Sequence, residues 1–184
     1  MGEDQTDFSK VSPSEIADFI SPQDKIPLLC ALSLYTHVIE SIDTFILVPG
    51  SYQIRTAAWF DTNTGECIIG CRGTSIGKQK SQQDLLDDSK IAGINPGGYC
   101  DLSLVREIES IIDPILDQIT FITFAGHSLG GTAAFCLCQK YDNSRAVCFN
   151  PGATPLNPIL YSSKPKAINY YHIVGKFINP QSFL

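Results

Sequence analysis

An α/β fold, with a mostly parallel central sheet and helices on both faces, is what this sequence predicts, on three observations. Strand-like and helix-like runs alternate through the middle of the chain, the pattern of parallel strands joined by helical crossovers. A hairpin opens the series, with the turn Asp61-Thr62-Asn63-Thr64-Gly65 between two apolar runs. At the centre a serine stands among glycines, Gly126-His127-Ser128-Leu129-Gly130-Gly131, directly after the apolar run 121–125.

The elements follow in order. Ser12-Pro13-Ser14-Glu15 ahead of Ile16, Phe19 and Ile20 predicts a capped short helix in an N-terminal extension, residues 1–27, and Ser21-Pro22-Gln23 breaks it. Leu28, Leu29, Leu32, Tyr35 and Val38 recur at helical spacing, predicting an amphipathic helix of about four turns. Residues 52–60 and 67–71 read as the two strands of the hairpin. The stretch 76–90 is polar and reads as loop, with a helical turn around 84–88. Residues 102–118 read as a helix bent at Pro114. After the serine come a helix over 132–141 and strands over 146–149 and 167–174. No repeat, linker or low-complexity tract interrupts the 184 residues, so one domain is expected over 1–184.

Composition narrows the function. Hydrophobic residues at 43% against charged residues at 17% mark a globular chain. A net charge of −6 argues against nucleic acid or an anionic membrane as the main partner. The seven cysteines are odd in number, lack C-x-x-C spacing and fall mostly in apolar runs, so buried thiols are expected. Cys136 and Cys138 lie two apart on a helix and face different directions, which makes them poor joint ligands. No metal constellation or phosphate-cradling loop is present, so neither metal nor cofactor is expected. The first residues are polar and acidic, no N-x-[ST] sequon occurs, and no run reaches transmembrane length. A cytoplasmic, intracellular setting follows. Met1-Gly2-Glu3-Asp4-Gln5-Thr6 matches the myristoylation pattern, but acidic residues beside the glycine oppose docking on anionic lipid, so membrane anchoring is not expected.

The glycine-flanked serine has a chemical reason. A G-x-S-x-G at a strand-to-helix junction is a nucleophile elbow, a turn so sharp that the residues two before and two after the serine must lack bulk. The helix that follows aims its first N–H groups at any oxyanion formed there. Gly130-Gly131-Thr132-Ala133-Ala134 fits, because small side chains let that helix approach the sheet.

With these motifs in place the chain resembles the class 3, fungal-type lipases of the α/β-hydrolase fold, over roughly residues 28–180. Cys71-Arg72-Gly73-Thr74-Ser75 is similar to that family's strand ending in R-G-[ST]. Pro96-Gly97-Gly98-Tyr99 sits where the family has a glycine-aromatic segment before a long helix. Cys148-Phe149-Asn150-Pro151-Gly152 sits at a strand end, and Tyr170-Tyr171-His172-Ile173-Val174-Gly175 is similar to the strand that delivers the catalytic aspartate. The resemblance implies Ser128 as nucleophile, with Thr74 and the Leu129 backbone N–H as the oxyanion hole.

The departures from that pattern bear on function. A serine hydroxyl needs a positioned base, and in this fold the order is Ser, then acid, then His. Lys176 stands where the resemblance places the carboxylate, and a cation there repels an imidazolium. Among the three histidines, His127 sits inside the elbow and diverges from Ser128, and His37 lies on the early helix. His172 is the weak candidate base, and no histidine occurs over 177–184. Asp87 and Asp88 read as solvated surface rather than displaced acids. The stretch after Thr74, where the family carries an apolar lid, is mostly polar and offers little to a lipid interface.

Three readings follow. In the first in order of preference, the domain is catalytically inactive and serves a structural or interaction role with protein assembly partners. Because small lipase-like proteins of this kind resemble those of large DNA viruses, that role extends to a capsid or virion component. The alternative is an intracellular lipase or esterase acting on an ester or lipid through Ser128, with a base from His172 or a second chain. The third puts acid and base on further downstream sequence, and Lys176 weakens it.

Overall fold

The computed structural model describes residues 20–73, 103–151, 167–174 and 177–183, and for 172–174 and 177–183 the backbone alone. Eight strands form one sheet in which chain order is spatial order. These are β1 (Ser41–Ile42), β2 (Phe45–Leu47), β3 (Thr56–Asp61), β4 (Glu66–Cys71), β5 (Phe121–His127), β6 (Ser144–Phe149), β7 (Ile168–Val174) and β8 (Phe177–Phe183). The central strands β4 to β7 run parallel, and antiparallel strands flank them on both sides.

The fold is α/β. Two helices serve as crossovers, α2 (Ser103–Ile112) between β4 and β5 and α3 (Leu129–Lys140) between β5 and β6. Crossovers that step the same way with the same hand place their helices on one face. Both helices indeed bury their apolar sides with Ile69, Ile122, Phe124 and Cys148. The helix α1 (Pro22–Ser33) covers the opposite face, with Leu28 and Leu32 against Ala125, Val147 and Phe149, and Cys30 beside Trp59 and Ile68. Alternate residues of β5 and β6 therefore enter different cores, which is why these strands read as continuous apolar runs.

Several predicted boundaries shift, each for a local reason. Ser21-Pro22 starts a helix rather than breaking one, because proline has no N–H to lose in a first turn. The proposed boundary at residue 27 thus falls inside α1, which stops at Ser33 and leaves Tyr35 and Val38 beyond it. The predicted strand 52–60 begins only at Thr56, because Gln53 and Thr56 pair across a tight turn. Pro114 marks the change from α2 into the 3-10 helix Asp113–Gln118. β1 and β2 were not predicted, being two and three residues long. Neither was β8, which carries Pro180 and among the described residues pairs with β7 alone, an edge position that tolerates a residue without N–H. The predicted helix around 12–20 and the polar stretch 76–90 lie outside the described residues.

The cysteine expectation holds among the described residues: Cys30, Cys67, Cys71, Cys136, Cys138 and Cys148 are free and buried. Burial pushes the Cys67 thiol up to about 12 and raises Cys71 and Cys148 as well. No helix among the described residues is long and apolar enough to cross a membrane.

One buried charge clamps α1 to the sheet. Asp24, fully buried in the first turn of α1, is paired with Arg145 at the start of β6. It also accepts from the Asn169 side-chain amide at 2.8 Å and from the Tyr171 hydroxyl at 2.5 Å. Arg145 reaches the Gln23 carbonyl at 2.8 Å and Thr123 Oγ1 at 3.1 Å. A single-partner deletion strands the rest, so Asp24→Ala is expected to cost about 3 kcal/mol. The urea midpoint checks this, and a loss under about 1 kcal/mol would show the clamp to be dispensable.

Candidate active site

The elbow is built from contacts that only glycine permits. Cys71 at the end of β4 lies in register with Gly126 on β5. A Cβ on Gly126 would overlap the Gly130 carbonyl, and one on Gly130 would overlap the Cys71 carbonyl and lie 2.9 Å from the Arg72 carbonyl carbon. Three backbones therefore touch directly, as expected for the positions two before and two after the serine.

Between those glycines Ser128 takes φ 53 and ψ −122, in a region L-residues rarely adopt. It occupies the N-cap of α3, yet its hydroxyl makes no capping hydrogen bond. A capping serine has extended backbone and folds its oxygen onto the helix N–H groups. The positive φ prevents that here and leaves the hydroxyl unspent on capping. The Ser128 N–H donates to the Phe149 carbonyl at 3.0 Å, and its carbonyl accepts from the Thr132 N–H at 3.1 Å. The first N–H groups of α3, that of Leu129 included, precede the first intrahelical bond.

The segment after β4 crosses the elbow. A Cβ on Gly73 would lie 2.9 Å from Ser128 Cβ and overlap the His127 carbonyl oxygen. Thr74, the expected hole donor, follows immediately but lies outside the described residues, as do Asp87, Asp88 and Lys176. Tyr35 pins this approach: its hydroxyl accepts from the Gly73 N–H at 2.9 Å and meets His127 Nδ1 at 2.9 Å. The two rings stand edge to face, with centroids 5.9 Å apart. A neutral imidazole protonated at Nε2 lets the tyrosine donate to Nδ1 while accepting from Gly73. Burial pushes His127 down to about 4, in keeping with a neutral ring.

His37 is exposed between α1 and β1. His172 lies on β7, one residue past the register pair Phe149 and Tyr171, with Asn179 of β8 as its other neighbour. Ser128, Asn150 and His172 each follow one row of paired residues, His127, Phe149 and Tyr171, so the serine and this histidine share one end of the sheet. Two strand spacings, about 10 Å, separate their backbones. The buried carboxylate Asp24 pairs at the other end, near the start of β6, and is not a displaced catalytic acid.

Among solved structures the chain is similar to the Lip2 lipase from Yarrowia lipolytica. Identity is 18%, the match covers 74% of this chain and 55% of that one, and the TM-score is 0.39. The chain thus spans about half the length of that lipase. No family model matches the chain, and no curated protein does.

Tyr35 and Arg72 carry weight that the sequence reading did not give them. Tyr35 reads as one more apolar-face residue of a helix, and only the early stop of α1 frees it to reach the elbow. Arg72 is buried, and its Nε and Nη2 have no hydrogen-bond partner among the described residues. Orphaned buried donors cost about 1–3 kcal/mol each, more when charged.

Two outcomes follow from this geometry. Glycine removes the penalty of a positive φ, so Ser128→Gly is expected to raise stability by about 1 kcal/mol, read as a higher thermal midpoint. An unchanged or lower midpoint would mean the serine is not strained. His127 is held below its ordinary 6.5, near 4, so the unfolded chain takes up the proton first. Stability contributed by the neutral ring is complete above pH 6.5 and is lost as pH falls toward 4, flattening below. In urea unfolding across that range, His127→Gln is expected to lose less stability on acidification than the wild type, and parallel curves would refute the shift.

Proposed function

We propose that this chain is a lipase-like domain that keeps the serine of a nucleophile elbow without its proton relay, and that it works as a structural or interaction component, with assembly into a virion as one such setting. The observation that supports this most is the imidazole beside the serine. His127 Nδ1 is engaged by Tyr35, and burial disfavours its protonation, the step a general base must undergo. The sequence adds a lysine at position 176, where the family resemblance calls for a carboxylate. Losing the base of a comparable triad costs on the order of 10⁶ in kcat, and the oxyanion hole with binding alone leaves roughly 10³–10⁴ over water.

A second reading, an ester or lipid hydrolase, is favoured by the strain at Ser128. Glycine would hold that turn more cheaply, and strain of roughly 1–3 kcal/mol at a polar residue marks functional sites. In that reading Ser128 attacks, Thr74 and the Leu129 N–H stabilise the oxyanion, and His172 or a second chain supplies the base.

A fluorophosphonate probe and a short-chain p-nitrophenyl ester, applied at neutral pH to wild type, Ser128→Ala and Lys176→Asp, separate the two. The expected result is no Ser128-dependent labelling or turnover, and none created by Lys176→Asp alone. Labelling and turnover that vanish in Ser128→Ala would overturn the silent reading.

A further inference from the structure

Arginine keeps its charge in any protein environment, so a buried guanidinium needs acceptors for its donors. Two buried arginines flank the same end of the β3–β4 hairpin, and they are treated oppositely. Arg55 precedes β3, and its Nε and Nη2 donate to the two carboxylate oxygens of Glu107 on α2 at 3.2 and 2.6 Å. One carboxylate thus fills one edge of the guanidinium. Arg72 follows β4, and its backbone N–H donates to the Arg55 carbonyl at 2.7 Å. The two are equally buried, at 4% and 3% exposure. Yet on Arg72 the same pair of atoms, Nε and Nη2, lacks a protein partner among the described residues. Thr56 Oγ1, likewise buried and without a hydrogen-bond partner among the described residues, belongs to the cross-strand partner of Cys71, so these groups lie at one end of one strand pair.

We propose that Arg72 anchors a carboxylate-binding site beside the serine elbow, with its Nε–Nη2 edge taking both oxygens of the carboxylate. Arg55 shows the bonding this chain uses for that edge, and the fork-to-fork fit selects a planar carboxylate. The position in the fold suits a ligand. The Arg72 backbone abuts Gly130 in the first turn of α3, and Gly73, the next residue, abuts Ser128. This is the carboxyl end of the parallel strands β4 and β5, where open α/β sheets hold their ligands. The field of the α3 N-terminus also favours an anion there. The site does not depend on whether Ser128 turns over, so it goes beyond the function proposed above.

The carboxylate has two sources. One is a free carboxylic acid from solvent. The other is a side chain of this chain, and Asp84, Asp87 and Asp88 are the nearest acids downstream in sequence. The full chain is titrated calorimetrically with sodium acetate and sodium octanoate against matched sodium chloride. Wild type, Arg72→Lys and the triple variant Asp84→Asn, Asp87→Asn, Asp88→Asn are compared. With a free acid as ligand, the wild type binds octanoate saturably, Arg72→Lys weakens binding about tenfold or more, and the triple variant binds like the wild type. With an internal carboxylate, the wild type does not bind, and the triple variant gains binding that a further Arg72→Lys removes. If neither protein binds a carboxylate, or if Arg72→Lys leaves binding unchanged, the site does not exist. Should Arg72→Lys fail to fold, the Arg72 Nε–H resonance decides: in wild type or triple variant it moves on titration if the site exists, and stays put if not.

Discussion

Bare backbone meets bare backbone where β4, β5 and α3 converge, and the architecture of the site depends on that contact. Cys71 and Gly126 are neighbours in the sheet, and Gly130 of the returning helix lies on the Cys71 carbonyl. A helix can start that close to two strand ends only if the chain reverses within one residue. The reversing residue is Ser128, and its positive φ is the geometric consequence. The strain at the serine and the loss of its capping bond thus share one cause. Gly73 crosses this same elbow, where a Cβ would overlap the His127 carbonyl oxygen.

The helix α1 ties this contact to the opposite end of the sheet. It begins in the Asp24 clamp, and just past its end Tyr35 holds Gly73 and His127 together. Its 12 residues span about 18 Å, a rigid distance between a buried ion pair and a pinned loop. The clamp is costly to assemble, since two charges leave water, and its return is positional: the far end of the helix has one place to lie. Tyr171 serves both regions, donating its hydroxyl to Asp24 while its carbonyl accepts from the Asn150 N–H beside the elbow.

The sequence showed the α/β alternation and the tight serine turn because both rest on strong local signals. Continuous apolar runs mark β5 and β6, and glycines stand at the two positions where any Cβ would collide. The rest was hidden for identifiable reasons. β1 and β2 are too short to show a period, and β8 contains a proline that reads as non-strand. Ser21-Pro22 signals both a break and a helix start, and a buried carboxylate three residues into the helix tips that choice through partners about 120 residues or more away in the chain. Tyr35 and Arg72 carry no local signature at all. A tyrosine at helical spacing and an arginine after a strand look ordinary until the fold sets one hydroxyl against an amide and buries two guanidinium nitrogens without a partner among the described residues.

The charges around the serine bear directly on the function proposed for this chain. A general base that takes the serine proton becomes a cation, and a neighbouring anion must stabilise it. At this end the fold supplies Arg72, whose Nε and Nη2 lack a partner among the described residues, the positive end of α3, and an imidazole whose burial resists protonation. In the sequence Lys176 follows the end of β7 by two positions and lies outside the described residues. Arg72 and the N-terminus of α3 favour negative charge arriving, and burial disfavours positive charge forming on His127. An oxyanion would be welcome in such a field, and so would a bound carboxylate, but an imidazolium would not. The same scaffold that strains Ser128 into the elbow therefore favours an anion beside it over a newly formed cation.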